Sequence, residues 1–167
     1  MAEIGTGRKT IAVSMGGERE TYLLRKIIGN SGRGGVFSVV PAAGAMERGR
    51  KAALLFAPEL PECAEPGLFP VCVTRFRPDF RKPECFRQVV TYSAEWDAAD
   101  FTARNVRQFP GGGAAFEIVG VGIIGRVRLG PGRECDVEAA LAAAAAATTA
   151  GVPFAEALGA LNAAEQE

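Results

Sequence analysis

The sequence predicts an α/β fold: a three-layer, mostly parallel sheet with flanking helices, plus a small antiparallel meander. Three observations predict it. Apolar runs in the first half are short and continuous, as in strands buried on both faces of a parallel sheet. Runs between residues 99 and 130 alternate polar and apolar residues, which is typical of antiparallel strands with one wet face. An alanine-rich segment near the end predicts a helix.

The first half begins with a strand and a helix. TIAVSM at Thr10–Met15 is β-branched and apolar, which predicts a buried strand. ETYLLRKIIG at Glu20–Gly29 predicts a helix, because its four aliphatic residues fall on one face and Gly29 can end it. GAMERGRKA is predicted to be a short helix or turn. Four further strands are predicted at Gly35–Pro41, Ala52–Pro58, Leu68–Phe76 and Gln88–Ser93.

The second half continues with the meander and two helices. The meander strands are predicted at Ala99–Phe109, Ala114–Gly120 and Gly125–Gly130, separated by PGGG and GVG turns. A helix is predicted from Asp136 to Ala150, closed by Gly151, and a second helix starts at Pro153. The whole is expected to be one domain, with a parallel part at 1–93, the antiparallel part at 94–131 and helices at 132–167.

Composition limits the classes of function. Nineteen basic and nineteen acidic residues cancel, which disfavours a nucleic-acid or anionic-membrane partner. No signal peptide or membrane span is predicted, so we expect a cytoplasmic protein. Histidine is absent, which excludes mechanisms that use a histidine base. The cysteines Cys63, Cys72, Cys85 and Cys135 form no zinc motif and are expected to be reduced and partly buried.

The stretch TIAVSMGGERETY, Thr10–Tyr22, has the layout of a phosphate-binding loop: a strand, a turn with two glycines, then the start of a helix. Its charges oppose that use. Glu18 and Glu20 would repel a triphosphate, each by about 1 kcal/mol or more when partly desolvated. Carboxylates in a first helical turn also complement the helix dipole, and we favour this capping interpretation over a catalytic pair.

The C-terminal half, from Val89 to Leu161, resembles the end of the central domain of Mur ligases, the ATP-dependent amide ligases of peptidoglycan-precursor synthesis related to folylpolyglutamate synthetase. The matching pieces are ordered along the chain. They are the TYS strand end, Ala99-Asp100-Phe101, Ala103, Asn105-Val106, Phe116, Val127, Leu129, Gly132 and Gly151-Val152-Pro153. The resemblance implies the Mur-ligase central fold.

Laid on the first strand, the family's phosphate loop falls on Ser14–Thr21. The resemblance therefore implies a degenerate nucleotide site at Gly16, Gly17, Arg19 and Thr21, with Arg19 at the lysine position and Glu20 at the magnesium-binding hydroxyl position. The family's D-H-L-D segment requires histidine and is absent, and RPDFRKPECFRQ stands where N-x-D-D-P is expected. The asparagines that open the family's alanine helix are also missing, as are both flanking domains.

Three hypotheses follow. The first is a Mur-ligase-like domain that has lost ATP binding and ligase chemistry, with no catalytic, metal-binding or cofactor residues, acting as an interaction or regulatory module with a protein partner or as a homodimer. The second is an ATP-dependent carboxylate–amine ligase subunit that uses ATP and Mg²⁺ and is completed by another chain. The third is a non-catalytic nucleotide- or anion-binding domain. We favour the first.

Three further features have alternative interpretations. The basic stretch Arg75–Arg87 contains interleaved phenylalanines. It is either a phosphate or single-strand nucleic-acid patch, or a connecting loop whose rings cover the edge of the core, and we favour the loop. Trp96 is expected to plug the hinge between two sheets. The alanine helix needs a close neighbour, which is either the domain core, the favoured partner, or a second copy.

Overall fold

A computed structural model describes residues 9–14, 18–42, 52–59, 69–131 and 136–164. Within these residues, eight strands form one sheet in the order β2-β1-β3-β4-β5-β6-β7-β8. The strands are β1 Lys9–Val13, β2 Phe37–Pro41, β3 Leu54–Phe56, β4 Val71–Arg75, β5 Gln88–Ser93, β6 Phe101–Gln108, β7 Ala114–Gly120 and β8 Ile123–Leu129. The helices are α1 Glu18–Asn30, α2 Val137–Ala150 and α3 Phe154–Ala164.

The pairing confirms the predicted fold class. Strands β1 to β6 pair in parallel, and β6, β7 and β8 pair antiparallel. No helix in the described residues is long and apolar enough to cross a membrane.

The meander continues the parallel sheet, so the expectation of a separate small sheet is wrong. Strand β6 pairs in parallel with β5, with Tyr92 opposite Phe101. Hydrogen bonds fix this junction, because the Asp100 carboxylate accepts from the Thr91 amide at 2.9 Å and the Thr91 hydroxyl at 3.1 Å. Trp96 does not plug a hinge: it is 47% exposed.

The larger core lies on one face of the sheet, where all three described helices pack. Helix α2 is capped at its N-terminus by Asp136, whose carboxylate accepts from the amides of Glu138 and Ala139, and at its C-terminus by Gly151, where φ is 120°. Residues 139–147, all alanine except Leu141, are almost fully buried against the sheet, α1 and α3. The prediction that the domain core covers this helix is confirmed.

A smaller cluster covers the opposite face. It contains Leu55, Phe69, Cys72 and Phe86. Phe86 comes from the stretch Arg75–Arg87, which supports the interpretation of that stretch as a connecting loop.

Cys72 is a free thiol, whereas Cys85 is disulfide-bonded. The prediction of reduced cysteines is therefore wrong for Cys85, while Cys63 and Cys135 lie outside the described residues.

The buried Cys72 thiol predicts a loss of stability at alkaline pH. Burial raises its pKa to about 12 in the folded protein. The unfolded thiol ionises near pH 9, so between about pH 9 and pH 12 the unfolded state loses a proton that the folded state keeps. We expect the free energy of unfolding to fall by about 2 kcal/mol more in the parent protein than in Cys72→Ala between about pH 8 and pH 10.5.

Urea unfolding of both proteins at the two pH values measures this difference. The pKa of Tyr92 is also raised by burial, but Tyr92 is common to both proteins and its contribution cancels. Parallel pH profiles for the parent and Cys72→Ala would contradict the prediction.

Candidate functional site

The candidate site lies where the parallel strands reach their carboxyl ends. Strand β1 lies between β2 and β3, so the chain leaves β1 in one direction for β2 and crosses back for β3. In open α/β sheets, ligands bind outside the carboxyl ends of the strands at such a reversal. The end of β1 and the first turn of α1 therefore lie at the edge where an open α/β sheet would bind a ligand. We call this region, with Arg19, Glu59, Arg75, Arg77, Asp136 and Glu138, the carboxyl edge.

The structure describes two of the four sequence-predicted site residues. Arg19 and Thr21 lie in the first turns of α1, whereas Gly16 and Gly17 lie outside the described residues. Glu18 and Glu20 occupy the first turn of α1, the position at which carboxylates complement the helix dipole.

Arg19 points toward the start of another helix. Its Nη1 lies 3.4 Å from Oδ2 of Asp136, the residue that caps α2. The side chain of Arg19 is 65% exposed and that of Asp136 is 35% exposed. The guanidinium of Arg19 thus faces a carboxylate of the same chain.

Two more arginines at this edge are also paired with carboxylates. Arg75, at the end of β4, lies with Nη1 3.2 Å from Oε1 of Glu59 and with Nε 2.7 Å from Oε1 of Glu138. The contact with Glu138 is an ion pair. Arg77 Nη2 lies 2.6 Å from the other oxygen of Glu59. Glu59 therefore bridges both guanidinium groups.

The electrostatics of Arg75 follow from this arrangement. Burial alone lowers the pKa of its guanidinium, but nearby negative groups, Glu138 foremost, outweigh burial and raise it. The hydroxyl of Tyr92, a fully buried side chain close to Arg75, has no hydrogen-bond partner among the residues that the structure describes. Burial raises the pKa of that hydroxyl, so it stays protonated at neutral pH.

A shallow groove of about 460 Å³ opens beside these ion pairs. Trp96 forms one wall, and Arg75, Arg77 and Glu138 line the other parts. Ser93 fixes the turn before Trp96, because its Oγ accepts from the amides of Glu95 at 3.0 Å and Trp96 at 2.9 Å. Within the described ranges, no group of three or more cysteine, aspartate and glutamate side chains is placed to hold a metal ion.

Sequence reasoning missed the three carboxylates that pair with these arginines. Asp136 carried a usable signal, since an aspartate directly before a helix is a typical N-cap. The same N-cap signal places Glu138, two residues later, in the first turn of that helix. Glu59 stands directly after the proline that ends the β3 segment, and nothing local indicates that it will meet Arg75 and Arg77.

Comparison with solved structures places the fold among the Mur ligases. Two neighbours are MurF from Acinetobacter baumannii, with a TM-score of 0.70 and 15% identity over 93% of this chain and 46% of that chain, and a pseudomurein peptide ligase type C from Methanothermus fervidus, with a TM-score of 0.62 and 13% identity over 95% and 50%. A third is the MurF ligase from Thermotoga maritima in complex with ADP, with a TM-score of 0.59 and 14% identity over 91% and 48%.

The chain spans about half the length of these structures, and identities at this level show the fold alone. No protein-family model matches the chain, and no curated protein matches it. The predicted resemblance to Mur ligases is confirmed as a similarity of fold.

Proposed function

We propose that this chain is a Mur-ligase-like domain that has lost ATP binding and ligase chemistry and acts as an interaction or regulatory module. The observation that carries the proposal is the pairing at the carboxyl edge. Arg19, Arg75 and Arg77 each lie within 3.4 Å of a carboxylate oxygen of the same chain. The positive groups that would attract phosphates are thus engaged inside the domain.

The balance of charge at this edge also opposes a triphosphate. Three guanidinium groups stand with five carboxylates, those of Glu18, Glu20, Glu59, Asp136 and Glu138. A phosphate site works in the opposite way, because it directs unpaired amides and cations at anionic oxygens. A bound triphosphate would have to displace carboxylates from guanidinium groups and remain close to them.

A second candidate is a binder of nucleotide or another anion at the same edge. One observation favours it: the Arg19–Asp136 pair is long at 3.4 Å and its guanidinium is 65% exposed. Exposed pairs of this kind contribute little to stability, so Arg19 can leave Asp136 at small cost. The ligase-subunit alternative, in which another chain completes the enzyme, has no such observation in its favour.

Calorimetry with ATP and Mg²⁺ tests the proposal. We expect no saturable heat from the carboxyl edge at millimolar ATP, with or without Mg²⁺, because the guanidinium groups of that edge are already paired with carboxylates. Micromolar affinity for ATP that depends on Mg²⁺ would contradict the proposal and favour the ligase alternative.

Inorganic triphosphate as a second titrant separates the anion-binding candidate. If Arg19 receives an anion, triphosphate should bind the parent protein, and Arg19→Ala should weaken that binding about tenfold or more. Arg81→Ala removes an exposed arginine outside the carboxyl edge and serves as the matched control. Equal weakening by both variants would indicate nonspecific attraction and would count against the second candidate.

A further inference from the structure

The face of the meander that points away from the helices carries a cluster of arginines. The register places Arg104 and Arg126 on either side of Glu117, and Arg107 and Arg128 on either side of Ala115. We call these six residues the arginine face. All four arginines are exposed.

A β-bulge builds this face. Residues three apart in a regular strand point to opposite sides, yet Arg104 and Arg107 pair with Glu117 and Ala115, which lie on the same side of β7. The register shifts between the two arginines, at Asn105, whose φ is 53°. Asn105 Nδ2 donates to Glu117 Oε1 at 3.2 Å. Without the bulge, one arginine of β6 would turn toward the helices.

The arrangement concentrates positive charge. Strands lie about 4.8 Å apart, so the arginines of one row are separated by roughly 10 Å at the backbone, and the two rows are roughly 7 Å apart. Within the described part of the chain, none of the four guanidinium groups forms an ion pair. The strand between the arginines contributes one carboxylate to the face, that of Glu117, so four guanidinium groups against one carboxylate leave the face with a net positive charge.

A groove runs through the face. Its volume is about 670 Å³, and Arg107, Arg126, Arg128 and Glu117 line it together with Ala115. The small side chain of Ala115 leaves room between Arg107 and Arg128, and the Phe109 ring, 5.3 Å from Cζ of Arg128, helps to fix that guanidinium. Next to the two charged rows comes an apolar row, in which Val119 pairs with Ile124, which is 66% exposed.

These features favour an extended acidic peptide over a nucleic acid. Alternate side chains of an extended peptide repeat at roughly 7 Å, which matches the spacing of the two rows. None of the six residues of the arginine face is aromatic, and the neighbouring Phe109 ring is already covered by the guanidinium of Arg128, which leaves bases little to stack on. The backbone edge of β8 is covered, since Asn162 Nδ2 donates to the Arg126 carbonyl at 3.1 Å and Oδ1 accepts from the Arg128 amide at 2.9 Å. A partner would therefore lie across the face.

We propose that the arginine face binds an extended acidic protein segment that runs along β7. Carboxylates at alternate positions face the two arginine rows, and an apolar side chain at one end of the segment contacts Val119 and Ile124. This surface is separate from the carboxyl edge, so the proposal holds whether or not that edge binds ATP.

Fluorescence anisotropy with a labelled peptide tests the inference. The probe has about eight residues, with a leucine at one end followed by glutamates alternating with threonines. With the full chain at about 50 mM salt, we expect saturable binding that weakens steeply as salt is raised. The same peptide with glutamine in place of glutamate should bind about tenfold or more weakly.

Matched variants locate the binding. Arg107→Glu/Arg128→Glu should weaken binding at least about tenfold, and the milder Arg107→Gln/Arg128→Gln should weaken it less while keeping the sheet free of new acidic pairs. Arg81→Glu/Arg87→Glu makes the same change of charge on the connecting loop and should leave binding unchanged. Thermal melts confirm that each variant is folded.

Several results would overturn the inference. These are no binding of the glutamate peptide, equal binding of the glutamine peptide, or equal loss in the connecting-loop control. Tighter binding of an oligothymidylate of similar length would instead assign the face to nucleic acid. ATP calorimetry repeated with Arg107→Glu/Arg128→Glu assigns any heat that persists to the carboxyl edge, so the two proposals fail separately.

Discussion

Replacing Ala144 by leucine is expected to lower the free energy of unfolding by about 3 kcal/mol. Ala144 is fully buried in the middle of α2, which is enclosed by the sheet, α1 and α3. Interiors are close-packed, so the larger side chain of a leucine at this fully buried position must push helices or strands apart. Urea denaturation monitored by circular dichroism measures the loss.

Thr149→Leu is the matched control in the same helix. Thr149 is only partly buried and lines a cavity of about 440 Å³ between the helix end and the start of β5. A leucine can extend into that space, so we expect a change within about 1 kcal/mol. A loss as large at Thr149 as at Ala144 would show that leucine disturbs α2 for a reason other than close packing.

The same helix shows what the sequence can predict. Its existence and ends are local properties, encoded by an unbroken run of strong helix formers, the N-cap Asp136 and the terminating Gly151. Its surroundings are not local. A helix of nearly uniform alanine has no distinct apolar face, so the pattern left open whether the core or a second copy would cover it.

At the carboxyl edge, too, local features were predictable from the sequence and contacts between distant residues were not. The strand, turn and helix start around Arg19 were predicted because they follow one another along the chain. The partner of Arg19 is Asp136, 117 residues later, and only the packing of α2 beside α1 brings the two together. The arginine face adds another case. The alternation of a regular strand predicts Arg104 and Arg107 on opposite sides of the sheet, whereas the bulge places them on the same side. Asn105 was the available signal, since asparagine tolerates positive φ better than most residues.

The cysteines show that the usual reduced state of cytoplasmic cysteines does not decide whether a particular cysteine forms a disulfide. Their spacing excluded a zinc motif, and a cytoplasmic prediction favoured free thiols. Cys72 follows this expectation, because its strand buries it on the second face of the sheet. Cys85 does not, since it lies in the connecting loop and is disulfide-bonded. Disulfides are rare in reducing compartments, so the disulfide at Cys85 disagrees with the predicted cytoplasmic localisation.

Gly113→Ala is expected to be similarly damaging, with a loss of about 3 kcal/mol or more in the free energy of unfolding. Gly113 adopts φ of 91° in the turn before β7, a conformation that side chains with Cβ rarely adopt. An added Cβ would also lie 2.6 Å from the carbonyl oxygen of Leu129, which belongs to the backbone of β8. Rotation of a side chain cannot relieve that contact.

The turn itself provides the control. Gly111, two residues earlier, has no atom within 4 Å of an added Cβ and does not have positive φ. Gly111→Ala should therefore change the free energy of unfolding by less than about 1 kcal/mol in the same denaturation experiment. Comparable losses for the two variants would mean that the glycines act through turn flexibility instead of through the close approach of β8.

The position of Gly113 extends its effect to the arginine face. It directly precedes Ala114, which pairs with both Gln108 of β6 and Leu129 of β8, so the backbone at this point sets the register of all three meander strands. Moving β8 away from an added Cβ would displace Arg128 relative to Arg107 across Ala115. A folded Gly113→Ala protein should therefore also bind the acidic peptide more weakly, whereas Gly111→Ala should bind it as the parent does.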